Sequence, residues 1–329
     1  MVSGSSVDTA QALWYTAPGK AEIRGENLTP PADAELRVRA LYGALSRGTE
    51  SLVLSGRVPT GEFERMRAPF MAGHFPFPVK YGYATVGEVE RGPKEMVGRR
   101  VFALHPHQTP FNIPLGAAVI VPVDVPPQRA VLSANMETAL NAIWDAAPAP
   151  ADRIAVVGAG AVGAMIAFIC GRLPGAEITL IDINPARAEL ARRLEVGFAR
   201  PETAKGDCDV VFHASGDSAG LNTAIELAGD EASVIELSWY GNKAVTAALG
   251  GAFHSRRLRL ISSQVGRIAP SHRSRWTHDR RLAAALALLA DARLDALLAP
   301  AVSFRDLPKR LPGLFEAGNS GVAQLVSYI

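Results

Sequence analysis

Gly158, Gly160 and Gly163 stand in the spacing G-x-G-x-x-G within Arg153-Ile-Ala-Val-Val-Gly-Ala-Gly-Ala-Val-Gly-Ala164. The chemistry this spacing suits is dinucleotide binding. The first glycine permits a tight strand-to-helix turn, the second lets a pyrophosphate approach the backbone, and the third lets helix and strand pack closely. The free N–H groups and positive dipole end of the helix would hold the phosphates. Asp182 closes the apolar run Ile178-Thr-Leu-Ile-Asp182, about 20 residues past the first glycine, where a carboxylate bonds the adenosine ribose. A carboxylate there repels a 2′-phosphate, so NAD is expected rather than NADP. Glycine turns and strand-end aspartates also occur for structural reasons alone. Strand, glycines, helix, strand and Asp in that order favour the nucleotide reading.

Seven histidines and two cysteines complete the set of reactive side chains. His105 and His107 flank Pro106 on an extended segment, and a spacing of two turns both rings to one side, a weak metal or acid/base candidate. No further ligand is apparent near them. His74 lies in a long loop. Cys170 falls in the apolar helix after the glycines and reads as core. Cys208 precedes a strand. Two lone cysteines make neither a disulfide framework nor a cysteine-rich zinc site, and a reducing cytoplasm fits them.

The elements that must position these residues change character along the chain. The first third is strand and turn: 10–15 and 21–24 around Pro18-Gly19, then the alternating run 35–42, then 80–90, 97–105 and 119–123. Residues 59–78 read as a long ordered loop. Its Met66, Phe70, Met71, Phe75 and Phe77 either line a pocket for a large flat substrate, meet another subunit, or simply pack the loop. Val125-Pro-Pro127 marks a boundary, and 131–146 reads as a helix. From Arg153 strands (154–157, 178–182, 209–214, 233–237, 258–262) alternate with helices (161–173, 185–195, 218–228, 277–290). That alternation predicts an α/β fold with a doubly wound parallel sheet. A strand at 301–304, a helix at 306–316 and a strand at 322–329 end the chain.

With 329 residues the chain has room for two domains, and 48% hydrophobic residues can fill a core. A formal charge of +2 gives no reason to expect nucleic acid or an anionic membrane as partner. The arginine clusters 256–259 and 272–275 read as solvated faces, with phosphate contacts as the lesser alternative. Met-Val-Ser-Gly-Ser-Ser lacks the basic and apolar parts of a signal peptide, and no apolar run is long enough to span a membrane.

A strand-rich part, a nucleotide fold and a short mixed tail together resemble the medium-chain dehydrogenase/reductase superfamily, over essentially the whole chain. Gly48-Thr49-Glu50 resembles the Gly-Thr-Asp that follows the family's first catalytic-zinc cysteine. Gly82-Tyr83-Ala84-Thr-Val-Gly87 resembles its Gly-His-Glu-x-x-Gly segment. His213-Ala-Ser-Gly216 resembles the turn beside the cofactor after the fourth nucleotide-fold strand. The resemblance implies a GroES-like catalytic domain at 1–124 and 267–329, to which the tail returns. It implies a Rossmann domain at 125–266, an active site between the two, and a homodimer acting on a small-molecule substrate. Cofactor contacts are then expected at Ala161, Val162, Ile183, Arg187, Ala214, Ser215 and Thr138, and Arg47 could pair with the pyrophosphate or with an acidic substrate.

The departures from the pattern concern zinc. Ser46 or Arg47 stands in place of the ligand cysteine, Tyr83-Ala84 in place of His-Glu, and Ala134 or Asn135 in place of the third ligand. These residues cannot assemble a thiolate–imidazole site, so no metal is expected. Ser46 to Pro59 and Lys80 to Gly87 resemble most the bacteriochlorophyllide hydroxyethyl dehydrogenases, a zinc-free branch, which implies oxidation of a secondary alcohol on a bulky substrate. Without zinc, hydroxyl groups must handle charge on the substrate oxygen. Thr49 is expected there, at the family's proton-relay position. Tyr83 either assists or fills the space the metal leaves. Glu50 either orients a partner or satisfies N–H groups at a helix start. Reduction of a conjugated C=C bond or a quinone, and nucleotide binding without catalysis, are the competing readings.

Overall fold

The computed structural model describes residues 8–316 and 322–329. The N-terminal hexapeptide Met-Val-Ser-Gly-Ser-Ser, which lacks the parts of a signal peptide, lies outside them. The chain forms two compact units, Met1–Ala134 with Leu298–Ile329, and Asn135–Leu297.

The second unit is built on a six-stranded parallel sheet. From edge to edge its strands are Gly197–Ala199, Glu177–Ile181, Arg153–Val157, Cys208–His213, Ala228–Glu236 and Arg259–Ser262. In chain order these are the third, second, first, fourth, fifth and sixth. The winding therefore reverses beside Arg153–Val157, the doubly wound arrangement that the alternation predicts. Ile154 to Val157 are all buried, as a strand covered on both faces requires. Leu221, Ala224 and Ile225 of the helix Ser218–Leu227 pack with Ala155, Val157, Val211 and Val234 of the sheet. The helices Ala161–Cys170, Arg187–Leu194 and His278–Leu288 fall within the expected spans but are shorter. The strand Gly197–Ala199 has no counterpart in the sequence reading, because three residues show no period.

The sequence reading ends this domain at 266, whereas contacts extend it to Leu297. Arg281, 1% exposed, is one of the ties. Its Nε donates to Glu137 Oε1 at 3.0 Å, and further donations reach Asn141 Oδ1 and the Val265 carbonyl. The helix His278–Leu288 is thereby tied to the helix Ser133–Ala146.

In the first unit the strand Glu35–Leu45 pairs antiparallel with Thr85–Arg91 on one side and Ala323–Ser327 on the other, and Leu298–Ser303 runs parallel to the last of these. The tail thus adds two strands to a sheet begun near the N-terminus. A second sheet is built around Asp8–Ala17, with Lys20–Leu28 at its edge. The single strand expected over 80–90 is split into Val79–Lys80 and Thr85–Arg91. Gly82 causes the break: its φ is +121°, and a Cβ there would lie 2.8 Å from the His107 ring. The interruption, Tyr81 to Ala84, carries the tyrosine of interest.

Candidate functional site

The glycine loop has the geometry its spacing implies. Gly158 has φ +107°, and a Cβ on it would come within 2.7 Å of the Ser215 nitrogen. A Cβ on Gly163 would fall 2.0 Å from the Gly158 carbonyl oxygen, so helix Ala161–Cys170 can seat against the strand only through a glycine. Gly160 differs. It has negative φ, and no heavy atom lies within 4 Å of where its Cβ would be. Nothing within the protein calls for glycine there, whereas a phosphate close to the backbone would. Gly160 is also the N-cap of the helix, and no side chain caps its first-turn amides.

Asp182 follows the strand Glu177–Ile181. Its Oδ2 accepts from the Ala159 amide and its Oδ1 from the Asn184 amide, both at 2.8 Å. The carboxylate therefore braces the glycine loop, and each oxygen retains a lone pair for a ribose hydroxyl. Ile183 is 76% exposed, apolar surface beside that carboxylate. Arg187 opens the helix Arg187–Leu194 and is half-buried; Ala161, Val162, Thr138 and Ala214 are half-buried too. Ser215 is exposed, just past Cys208–His213 and against Gly158. Gly158 and Ser215 thus flank the point where the winding reverses, at the carboxyl ends of the strands, where open α/β sheets bind their ligands.

In the other unit, helix Arg47–Leu54 carries Thr49 and Glu50. Tyr83 donates its hydroxyl to Ser46 Oγ and is also hydrogen-bonded by Thr49, so three hydroxyls form one chain. Burial pushes the Tyr83 hydroxyl up to about 12. Ser46 entered the sequence reading only as a substitute for a ligand cysteine; its place in this chain required the fold. Glu50 is fully buried. Its Oε1 accepts from the Ser46 amide at 2.8 Å, which is the helix-start role. Its Oε2 accepts from the Tyr15 hydroxyl at 2.7 Å and meets His107 Nε2 at 3.1 Å, which is the orienting role. His107 Nδ1 lies 3.1 Å from the hydroxyl of Tyr328, the residue after the returning strand Ala323–Ser327. Burial, with the Glu50 charge second, raises both the Tyr15 and Tyr328 hydroxyls. Arg47 is half-buried and donates to the Glu316 carbonyl at 2.9 Å.

The two histidines around Pro106 have different surroundings. His107 joins Glu50, while His105 stacks on Phe111 at 3.9 Å and on Phe70 at 5.5 Å. Of the loop aromatics, Phe75 is buried and packs on Phe63 and Tyr81. Among the described residues no group of three or more His, Cys, Asp or Glu side chains is placed to hold a metal ion.

The fold is that of zinc-type alcohol dehydrogenase-like, medium-chain enzymes. L-idonate 5-dehydrogenase from Escherichia coli superposes with a TM-score of 0.79 at 14% identity, covering 98% of this chain and 99% of that one. The short chain alcohol dehydrogenase rspB of Escherichia coli CFT073, solved with NADH, gives 0.75 at 16% identity over 97% and 99% of the two chains. A protein from Sinorhizobium meliloti 1021, solved with NADP, gives 0.76 at 16% identity, also over 97% and 99%. Among curated proteins, L-galactonate-5-dehydrogenase of Escherichia coli K12 is 28% identical over 160 residues, 45% of this chain and 46% of that enzyme. The match thus spans about half the length of that curated relative. No family model matches the chain.

Proposed function

We propose that this protein is a nicotinamide-dinucleotide-dependent oxidoreductase that interconverts a secondary alcohol and a ketone, prefers NAD to NADP, and uses side-chain hydroxyls in place of a catalytic zinc. The observation that carries the reading is the glycine loop at the reversal point of the sheet, with Asp182 beside it. L-galactonate-5-dehydrogenase and L-idonate 5-dehydrogenase are both named for dehydrogenation at an internal carbon, where the alcohol is secondary; this supports the reaction class. Structural neighbours carry NADH or NADP, so the preference for NAD rests on Asp182 alone.

The residues fit a dinucleotide. The amides at the start of helix Ala161–Cys170 would hold the pyrophosphate, Asp182 the adenosine ribose, and Ile183 would cover an apolar ring face. They do not fit zinc. Ser46, Arg47, Tyr83 and Ala84 stand at the resemblance's ligand positions, and both nitrogens of His107 and both oxygens of Glu50 already have partners.

When bound, the nicotinamide supplies the hydride donor or acceptor. The chain's own part is to hold and move a proton. Tyr83, with its hydroxyl pushed up by burial, stays protonated at neutral pH and passes its hydrogen bond to Ser46 while receiving one from Thr49. Such a chain can present a hydroxyl proton to the substrate oxygen and so steady the charge that develops there. Glu50 holds the Ser46 amide, and so the start of the helix that carries Thr49. A reducing cytoplasm suits the two buried, unpaired thiols, and a homodimer is the assembly proposed.

The test is titration of the purified chain with NADH and NADPH, followed by turnover on a panel of secondary alcohols. NADH should bind more tightly, and Thr49→Val should lower turnover about a hundredfold with NADH affinity retained. Tighter NADPH binding would overturn the NAD preference. Stoichiometric zinc with activity lost to chelator would overturn the hydroxyl mechanism.

A further inference from the structure

Ser215 stands at the head of a buried polar chain that the nucleotide reading does not use. Its Oγ lies 2.6 Å from His213 Nε2, and His213 Nδ1 lies 2.7 Å from Glu236 Oε2. The imidazole is fully buried while Ser215 is exposed. Glu236 also accepts from the Tyr240 hydroxyl at 3.0 Å and from the Ser238 amide at 2.7 Å. An ionised carboxylate only accepts, so these contacts fix a proton on His213 Nδ1. In the neutral ring Nε2 is then an acceptor, and the Ser215 hydroxyl must donate inward to it. Ser215 Oγ also receives the Asp217 amide at 3.3 Å, which leaves a lone pair facing outward.

Protonation of His213 reverses this. Nε2–H then donates to Ser215 Oγ, so the serine proton turns outward and the hydroxyl presents a donor, with a positive charge behind it. Resting on the dinucleotide reading above, we propose that His213 sets the hydrogen-bonding polarity of Ser215 and thereby couples binding of the dinucleotide's phosphate–ribose stretch to uptake of a proton. The placement of Ser215 against Gly158, at the reversal point of the sheet, puts that hydroxyl where the ligand's acceptor oxygens would lie.

The charged and titratable groups around His213 are few. Glu236 comes from the neighbouring strand, at the register position opposite His213. The Tyr240 hydroxyl lies 3.4 Å from Nδ1, and its proton is held firmly because burial, then the Glu236 charge, raises it. Asp217, the N-cap of helix Ser218–Leu227, is paired with Lys243 at 2.8 Å. On the other flank the opposite residue is Val157. Serine, histidine and an acid in line can also make a nucleophile. Here the two amides after Ser215 already donate within the turn, Gly216 to Ser238 Oγ at 3.1 Å and Asp217 to Ser215 Oγ, so neither is left to hold an oxyanion.

The experiment is calorimetric titration of the full chain with NADH between pH 6 and 8, in two buffers of different ionisation enthalpy, which counts the protons exchanged. The wild type should bind about tenfold more tightly at the acidic end and take up a fraction of a proton. His213→Gln, which cannot titrate, and Ser215→Ala, which removes the switched hydroxyl at an exposed position, should both flatten the profile. Wild-type binding with no proton uptake, or uptake that persists in either variant, would overturn the proposal. Should His213→Gln fail to fold, the wild-type proton count and Ser215→Ala decide it. Absence of NADH binding at every pH would instead overturn the cofactor reading.

Discussion

His105 and His107 sit two positions apart, yet the fold uses them in opposite ways. His107 meets a carboxylate; His105 lies between aromatic rings and its Nδ1 is 3.0 Å from the Pro106 carbonyl. Burial, first of all, pushes His105 down to about 3. The folded state therefore keeps this ring neutral, while an unfolded chain protonates it near the usual value of about 6.5. Its contribution to stability is complete above that pH and is lost as pH falls from there toward 3, at up to about 1.4 kcal/mol per pH unit. We expect His105→Phe, which retains a ring against Phe111, to flatten the slope of stability against pH between 6 and 4. Denaturant titrations of both proteins at several pH values measure it, and equal slopes would show that His105 does not set the acid limb.

At the scale of one element, the strand–loop–helix unit from Arg153 to Cys170 separates two demands on glycine. Gly163 answers a packing demand, since a Cβ there would meet the Gly158 carbonyl. Gly160 answers none that the protein itself makes. We expect Gly163→Ala to lower both stability and dinucleotide affinity. Gly160→Ala should leave the melting temperature within a few degrees of wild type and weaken NADH binding at least tenfold, because only the ligand needs the space. Unchanged NADH affinity in Gly160→Ala would place the pyrophosphate elsewhere. Asp182 makes a similar point: beside its proposed place at the ribose, its grip on the Ala159 and Asn184 amides is a task that the primary structure did not advertise.

At the scale of the whole molecule, one buried ion pair helps tie a distant segment into the second unit. Arg281 and Glu137 are 144 positions apart and both buried. Removing one partner strands the other charge, whereas removing both does not. Arg281→Met should cost about 3 kcal/mol, and adding Glu137→Leu should recover much of it. A double-mutant cycle by chemical denaturation checks this, and additive losses would mean the pair is not coupled. No helix among the described residues is long and apolar enough to cross a membrane.

The sequence by itself determined the features that repeat along the chain or depend on near neighbours. The alternation after Arg153 carried the parallel sheet, and the glycine spacing carried the turn. Apolar runs and local turn chemistry act over a few residues, so they can be read in a line. Tertiary structure alone decided what depends on distant partners. Gly197–Ala199 became a strand only by pairing with Glu177–Ile181. The break at Gly82 lies against the His107 ring, Ser46 meets Tyr83 from a separate segment, and the tail docks on a sheet edge near the N-terminus. His213 and Glu236 meet because parallel strands place their ends side by side. A carboxylate's partner can lie 57 positions away, as His107 does from Glu50, and no local period records it.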